Sequence, residues 1–318
     1  MMKAVIFAGG KGERLWPLTG VKPKPLLPVA NRPMLSRVMD NINKVTGIRE
    51  FVVITNYKCE SVEEYCNGMS CYDIETVREK KFLGTAGGLR LLDGLVDGDF
   101  IVWNSDTFAF FDTKRLIASH AKRKALATVC TTQNIVKSSF GETRIGKGSR
   151  LVEFVEKPCF GHVVNIGIYL LNPGIIDNIK SGEAIGMDEL LRRTISNVYC
   201  HDINGLWVDV GNFSTFIYAN NLFLKEFDLR SDDSSLPASC RINNYAIGKG
   251  VSIGEGSLVS DSSVDEGVSI GKGTKIEASV IFPNARIGDR CEIRNSIIGY
   301  NATVSDGTCM NQSIVSGT

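Results

Sequence analysis

Lys3-Ala4-Val5-Ile6-Phe7-Ala8, followed by Gly9-Gly10-Lys11-Gly12, is the stretch on which the first part of the fold turns. A short, unbroken apolar run reads as a strand buried on both faces, and the glycines after it read as a tight turn. Outward from there, strand and helix signals alternate. Residues 34–46 have helical apolar spacing, 51–55 (FVVIT) read as a second buried strand, and 84–96 read as a helix after a Gly-Thr start. Residues 100–104 (FIVWN) form a strand that runs into Asp106, 112–124 read as a helix and 126–132 as a strand. This alternation predicts an α/β, Rossmann-like sheet that is mixed but mainly parallel. Ligands of such sheets gather at the carboxyl ends of the strands, where the glycine turn and Asp106 both lie. Strands over 150–157, 163–171 and 206–210 and a helix over 213–227 complete this part.

The texture then changes. After a polar stretch at 228–235, aliphatic residues recur at 247, 253, 259, then 264, 270, 276, then 281, 287, 293, then 298, 304, 310, then 315. The steps are 6, 6 and 5, a period of 17, and Leu236 and Ile242 extend it backwards. A fixed short period means stacked units, none of which buries its apolar face alone. Three short strands per coil give a triangular parallel β-helix, each coil rising by about 4.8 Å. The spacing is similar to that of hexapeptide-repeat proteins, and this resemblance implies the left hand; the usual crossover rule alone would give the right. The expected organisation is 1–227, a linker at 228–235, and a β-helix over 236–318.

Composition excludes several classes. Of 318 residues, 43% are hydrophobic and 22% charged, values of a folded globular chain. Lys plus Arg is 36 and Asp plus Glu 35, with no basic block, which argues against a nucleic-acid partner. No apolar run reaches the 18 residues of a membrane span, and the first apolar stretch is too short for a secretory signal. The nine cysteines include no Cys-x-x-Cys pair, and only three histidines are present. Paired zinc spacing is therefore absent, and the expected location is cytoplasmic.

The chemistry-bearing motif is Ala8-Gly9-Gly10-Lys11-Gly12-Glu13-Arg14, with Pro23-Lys24-Pro25 shortly after. A glycine turn behind a strand lets backbone N–H groups approach phosphates. It lacks the Gly-Lys-Ser/Thr of a P-loop, and Leu15 stands where the dinucleotide fingerprint needs glycine. It is thus a phosphate loop of another kind, flanked by two cations. Further along come Leu83-Gly84-Thr85-Ala86-Gly87, Asp106, Phe154-Val155-Glu156-Lys157-Pro158, Asn165-Ile166-Gly167 and Trp207-Val208-Asp209-Val210-Gly211.

In this order, over residues 3–225, the set resembles the signature of the nucleoside-diphosphate-sugar pyrophosphorylases, the sugar-1-phosphate nucleotidyltransferases, in which a hexapeptide tail is a known companion. The resemblance implies a reaction of a nucleoside triphosphate with a sugar 1-phosphate, giving a nucleotide-sugar and pyrophosphate. It implies Arg14 at the departing pyrophosphate and Lys24 at the α-phosphate as catalytic cations. Ala8, Gly9, Gly10, Gly12, Gly84 and Thr85 would contact the nucleotide. Gly141, Glu156, Lys157 and Asn165 would contact the sugar phosphate, and Asp106 and Asp209 would hold Mg²⁺. Leu83–Gly87 looks most like mannose-1-phosphate guanylyltransferases; uridylyl- and thymidylyltransferases acting on glucose 1-phosphate share nearly everything else. Two departures bear on substrate choice: Ser105, where glycine is common, could crowd the ribose, and Ile166 could shrink the sugar pocket.

Two rivals stand beside the enzyme. One is an inactive regulatory or scaffold homologue, as in a translation-initiation exchange factor of the same plan. The other is an acyltransferase built on the repeats, which would need a histidine base; all three histidines precede residue 202. The tail is expected to make a homo-oligomer, with Tyr245, Phe282 and Tyr300 turned outward, and to leave the bond chemistry to the first part.

Overall fold

Seven strands form the first sheet: β1 (Ala4–Phe7), β2 (Glu50–Thr55), β3 (Asp73–Arg78), β4 (Phe100–Asn104), β5 (Ala127–Lys137), β6 (Cys159–Leu171) and β7 (Val198–Asp202). The computed structural model describes residues 2–226, 229–230, 237 and 239–317. The strand order is β7-β5-β6-β4-β1-β2-β3. Only β6 runs antiparallel to its neighbours, so the sheet is mixed and mainly parallel, as the alternation predicts. The central β1, β2 and β4 are buried on both faces, which is why they read as continuous apolar runs. The edge strand β3 alternates Asp73-Ile74-Glu75-Thr76-Val77-Arg78 instead.

Helix α1 (Met34–Thr46) buries Met34, Leu35, Val38, Met39 and Ile42 on one face. It stops at Gly47, whose left-handed φ of 78° lets its N–H reach Asn43 O at 2.8 Å. Helix α2 (Thr113–Arg123) starts where the Asp112 carboxylate accepts from the Lys114 N–H. The helix expected over 84–96 does not form; only a 3₁₀ turn over Gly87–Leu92 does. Gly84 sits at φ 80°, and the N–H groups of Ala86 and Gly87 donate to Ile185 O, 3.0 and 3.3 Å away. Tertiary bonds thus take the donors a helical first turn would leave free.

Beyond Thr131 and before Ile168, β5 and β6 pair only with each other. They leave the sheet as a two-stranded ribbon, tipped by a hairpin of Glu142–Ile145 on Leu151–Val155. Ile135, Phe140, Ile145, Leu151, Phe154 and Val163 are all exposed along it.

The first part ends with helix α3 (Met187–Arg193) and helix α4 (Phe213–Glu226). The β-helix follows in the predicted phase. Residues pair in parallel at steps of 17, as in Ile253↔Ile270↔Ile287↔Val304 and Val264↔Ile281↔Ile298↔Val315. The eleven predicted inward positions from Ile247 to Val304 are all buried in one cluster, and Met310 and Val315 pack partly against it. Corners carry ladders: Ser279 N–H donates to Ser262 Oγ and Ser296 N–H to Ser279 Oγ, at 3.0 and 3.1 Å. Of the stretch expected as a linker, residues 228 and 231–235 lie outside the described residues, as do Leu236 and Phe227. Within it, Leu229–Arg230 pairs with Ala246–Ile247.

One expectation about the β-helix surface is overturned. Phe282 and Tyr300 are buried, in a cluster shared with α1, α4 and the first sheet. Phe282 meets Phe216 of α4 at 6.0 Å between centroids and Tyr300 edge-on at 4.8 Å. Their flank faces the chain's own first part, and burying two large rings there is worth more than exposing them. Tyr245 is partly buried against the stack.

Candidate active site

β1, β2 and β4 end together: Phe7 is paired with Ile54 on one side and Asn104 on the other. The glycine turn and Ser105-Asp106 therefore issue from adjacent strand ends. Ala8 N–H donates to Ile54 O and Ser105 N–H to Phe7 O, which closes the sheet beneath the turn. Gly9 is required by close approach, since a Cβ there would lie 2.9 Å from Asn56 Cβ. Gly12, at φ 66°, packs its backbone against Thr19 and the stem of Lys24. Nothing stands within 4 Å of the Gly10 Cβ position.

A cleft of about 650 Å³ opens over these strand ends. Its lining includes Gly9, Gly10, Gly12, Arg14, Lys24, Gly84, Thr85 and Asp106. Ala8 lies just beneath, its side chain buried. Lys24 is buried, and it donates to the Asp106 carboxylate. Asp209 arrives from a different direction. Its strand, Leu206–Asp209, pairs antiparallel with Thr107–Phe110, so Asp209 faces Thr107, and Val210 N–H donates to Asp106 O. Gly211 makes room for a close meeting: a Cβ there would fall 2.8 Å from Asp209 Oδ2 and 3.1 Å from the Arg14 guanidinium. Arg14, Lys24 and Asp106 line the cleft; Asp209 is not among its lining residues but meets Arg14 across Gly211, which is.

The electrostatics agree with this packing. Burial and then the Asp106 carboxylate raise the Asp209 carboxyl above its ordinary range, while Lys24 and Arg14 pull it down. Two neighbouring carboxylates suit a shared divalent cation, and Mg²⁺ takes one or two carboxylates together with substrate phosphates. Among the described residues no group of three or more His, Cys, Asp or Glu side chains is placed to hold a metal ion.

Gly84 and Thr85 line the cleft but also fasten it. The Thr85 hydroxyl accepts from Met187 N–H at 2.8 Å, at the start of α3, and a Cβ on Gly84 would lie 2.5 Å from Ile185 O. Gly141, Glu156 and Lys157 do not line this cleft; they stand exposed on the ribbon. Gly141 and Glu156 adjoin, a Gly141 Cβ falling 2.9 Å from Glu156 Oε2. Asn165 sits at the bulge where the ribbon re-enters the sheet: its Oδ1 accepts from Gly167 N–H, and Gly167 packs on the cleft residue Asn104. Ser105 lines the cleft. Ile166 does not line this cleft; its side chain is buried in the core.

Sequence reasoning missed Glu79. It lies one residue beyond β3, is buried, and lines the cleft. Burial pushes its carboxyl up to about 7, against the opposing pull of the Leu83 N–H. The period-two alternation of 73–78 was the available signal, since it places a strand end just before Leu83-Gly84-Thr85.

A nucleotide-sized cleft over parallel strand ends, with cations and carboxylates at one end, defines a protein that handles phosphate esters. The profile described as Nucleotidyl transferase matches residues 3–226, and that described as EIF2B subunit epsilon LbH domain matches residues 227–318. The chain belongs to the nucleotidyl transferase family. Among its relatives, a probable mannose-1-phosphate guanylyltransferase 2 of Oryza sativa subsp. japonica is 34% identical over 81% of this chain and 74% of its own length. A mannose-1-phosphate guanyltransferase of Yarrowia lipolytica is 32% identical over 75% and 68%. A mannose-1-phosphate guanylyltransferase catalytic subunit beta of Dictyostelium discoideum is 33% identical over the same shares. No helix among the described residues is long and apolar enough to cross a membrane.

Proposed function

We propose that this protein transfers a guanylyl group from GTP to mannose 1-phosphate, giving GDP-mannose and pyrophosphate. The observation that carries the reading is the convergence of Arg14, Lys24 and Asp106 in a cleft floored by the glycine turn, with Asp209 meeting Arg14 across Gly211. A phosphate oxygen of the sugar 1-phosphate attacks the α-phosphorus, the bond from the α-phosphorus to the bridging oxygen breaks, and pyrophosphate leaves with the electron pair. No protein nucleophile is needed, so the residues position groups and neutralise charge. Lys24 neutralises charge at the α-phosphate and Arg14 at the departing pyrophosphate. The backbone of Ala8, Gly9, Gly10 and Gly12, with Gly84 and Thr85, holds the nucleotide. Asp106 and Asp209 would hold Mg²⁺, which when bound neutralises phosphate charge. Gly141, Glu156, Lys157 and Asn165 hold the sugar phosphate.

Base choice rests on Glu79. A buried carboxylate that accepts only suits guanine, whose N1–H and N2–H₂ are adjacent donors; uracil and thymine offer one donor flanked by carbonyls. Pyrophosphate release measured across five nucleoside triphosphates and several sugar 1-phosphates tests the reading. The expected maximum is GTP with mannose 1-phosphate. A maximum with UTP or dTTP and glucose 1-phosphate would move the protein to the uridylyl- or thymidylyltransferases.

A second reading is favoured by one observation, the match of residues 227–318 to a profile described by an EIF2B subunit: an inactive regulatory or scaffold homologue. Absence of pyrophosphate release with every pair would select it. We also propose the division into 1–227, 228–235 and 236–318, a cytoplasmic location in keeping with nine free cysteines, and a homo-oligomer joined through the β-helix. Light scattering on the full chain tests the last; a monomer refutes it.

A further inference from the structure

Lys24 sits on a segment that the β-helix grips from both ends. On its far side, Pro28–Val29 pairs antiparallel with Arg32–Pro33 around a two-residue turn, Ala30-Asn31. Both turn residues have left-handed φ, 46° and 61°. That is the geometry of a tight hairpin, yet alanine there is disfavoured, so outside contacts must hold it.

Those contacts are specific. Ala30 N–H donates to Asn220 Oδ1 at 2.9 Å, and the same oxygen accepts from the Ser263 hydroxyl of the β-helix at 2.8 Å. The buried Arg37 donates to Val29 O at 2.8 Å and Ala30 O at 2.6 Å. Asn31 Nδ2 donates to Val264 O of the β-helix at 2.9 Å. Asn220, Ser263 and Ala30 are all at most 1% exposed, so water is no substitute partner. On the near side, Lys22 Nζ lies 5.3 Å from the centre of the Tyr300 ring, itself part of the β-helix. Between these grips Lys24 stands among Pro23, Pro25 and Pro28, and the fixed φ angles of the prolines stiffen the segment. A shift at either end is therefore delivered to Lys24 and its Asp106 partner rather than absorbed.

We propose that one flank of the β-helix braces the Lys24 segment, with Ser263, Tyr300 and the Val264 carbonyl acting as positioning groups for the transferase chemistry. The proposal rests on the reading of Lys24 given above. It makes the repeat region part of the machinery that sets turnover.

The test uses the full chain with Asn31→Gly, Ser263→Ala, and both together. Glycine accepts the φ of Asn31, so the turn survives and only the side-chain bond to Val264 is lost; this single variant keeps the test alive if the double one does not fold. The double variant should lower kcat roughly tenfold, the scale of a small misplacement of a catalytic group, with KM values within about twofold. In a Lys24→Ala background the same pair should cause no further fall in kcat, because its effect passes through Lys24. Wild-type kcat in the folded double variant overturns the brace. An equal loss in both backgrounds also overturns it, showing a merely structural role. Full turnover in Lys24→Ala alone would instead refute the site reading on which the brace depends.

Discussion

The β-helix and the ribbon over 132–165 are both built of short strands, yet they treat apolar side chains in opposite ways. In the β-helix every inward position from Ile247 to Val304 is at most 5% exposed. In the ribbon, Phe140 is 79% and Val163 69% exposed. A stack closes on itself: each coil covers the next, so one aliphatic every five or six residues suffices. A two-stranded ribbon has nothing behind either face and is marginal by itself. The ribbon carries Gly141, Glu156, Lys157 and Asn165, the residues proposed to meet the sugar phosphate, and its lack of a packed core suits a part whose partner is a ligand. The cleft end with Lys24 lies between these extremes, buried like the stack and charged like the ribbon. If this division of labour is right, changes in the cleft should alter chemistry while leaving the fold, and changes at inward positions of the stack, away from the Ser263, Val264 and Tyr300 contacts, should do the reverse.

The largest effect expected on chemistry is from Lys24→Ala. Removing one preorganised cation at the reacting phosphate should lower kcat about 10²–10³-fold, with the circular dichroism spectrum unchanged. Near wild-type turnover breaks the assignment. The counterpart in the stack is Ile276→Ala, at a fully buried inward position. It should cost about 2–5 kcal/mol of stability, read by urea denaturation, and leave kcat per folded molecule untouched. A fall in kcat without loss of stability would show that the division is not clean even in the middle of the stack. Asp209→Asn comes next. It should raise the Mg²⁺ concentration for half-maximal rate about tenfold, and EDTA should abolish the parent's activity. Full rate without divalent metal would remove the two-aspartate site.

How much of this could be read beforehand differs by region for a physical reason. A period of 17 repeated four times states the same fact redundantly, so the inward face of every coil was legible. What covers that face from outside was not, because periodicity assigns a side chain to a face and says nothing of a neighbour far away in sequence. For this reason Phe282 and Tyr300 read as outward-facing in the sequence, and neither the Asn31 bond to Val264 nor the shared bond of Ala30 and Ser263 to Asn220 is visible there. In the cleft, charged and glycine residues in local motifs were legible, as was the meeting of strand ends. The failed helix over 84–96 shows the limit: its spacing was helical, but Gly84 takes a left-handed φ and only a 3₁₀ turn forms at Gly87–Leu92, tied to Ile185 O a hundred residues on. Glu79 escaped because its significance is burial, a property of β3 and the Leu83 turn together.

Glu79 also supplies the smallest and most discriminating prediction, since it tests whether a cleft residue can bear on chemistry and stability at once. Its carboxyl, ordinarily near 4.5, is raised to about 7 by burial. A raised acid binds its proton more tightly folded than unfolded, so its contribution to stability is fully present below about 4.5 and is lost as pH rises through about 7. The free protein should therefore lose some thermal stability over that window, and Glu79→Gln, which cannot ionise, should flatten that part of the Tm profile. The same ionisation should act oppositely on substrate. Only the carboxylate accepts two hydrogen bonds from guanine without presenting a donor to N1–H, so the KM for GTP should fall as pH rises through about 7. Glu79→Gln should raise that KM about fivefold, the scale of one hydrogen bond, and remove its pH dependence, with kcat little changed. If KM for GTP is as pH-dependent in the glutamine variant as in the parent, Glu79 does not read the base, and the choice of guanine must rest on other residues of the cleft.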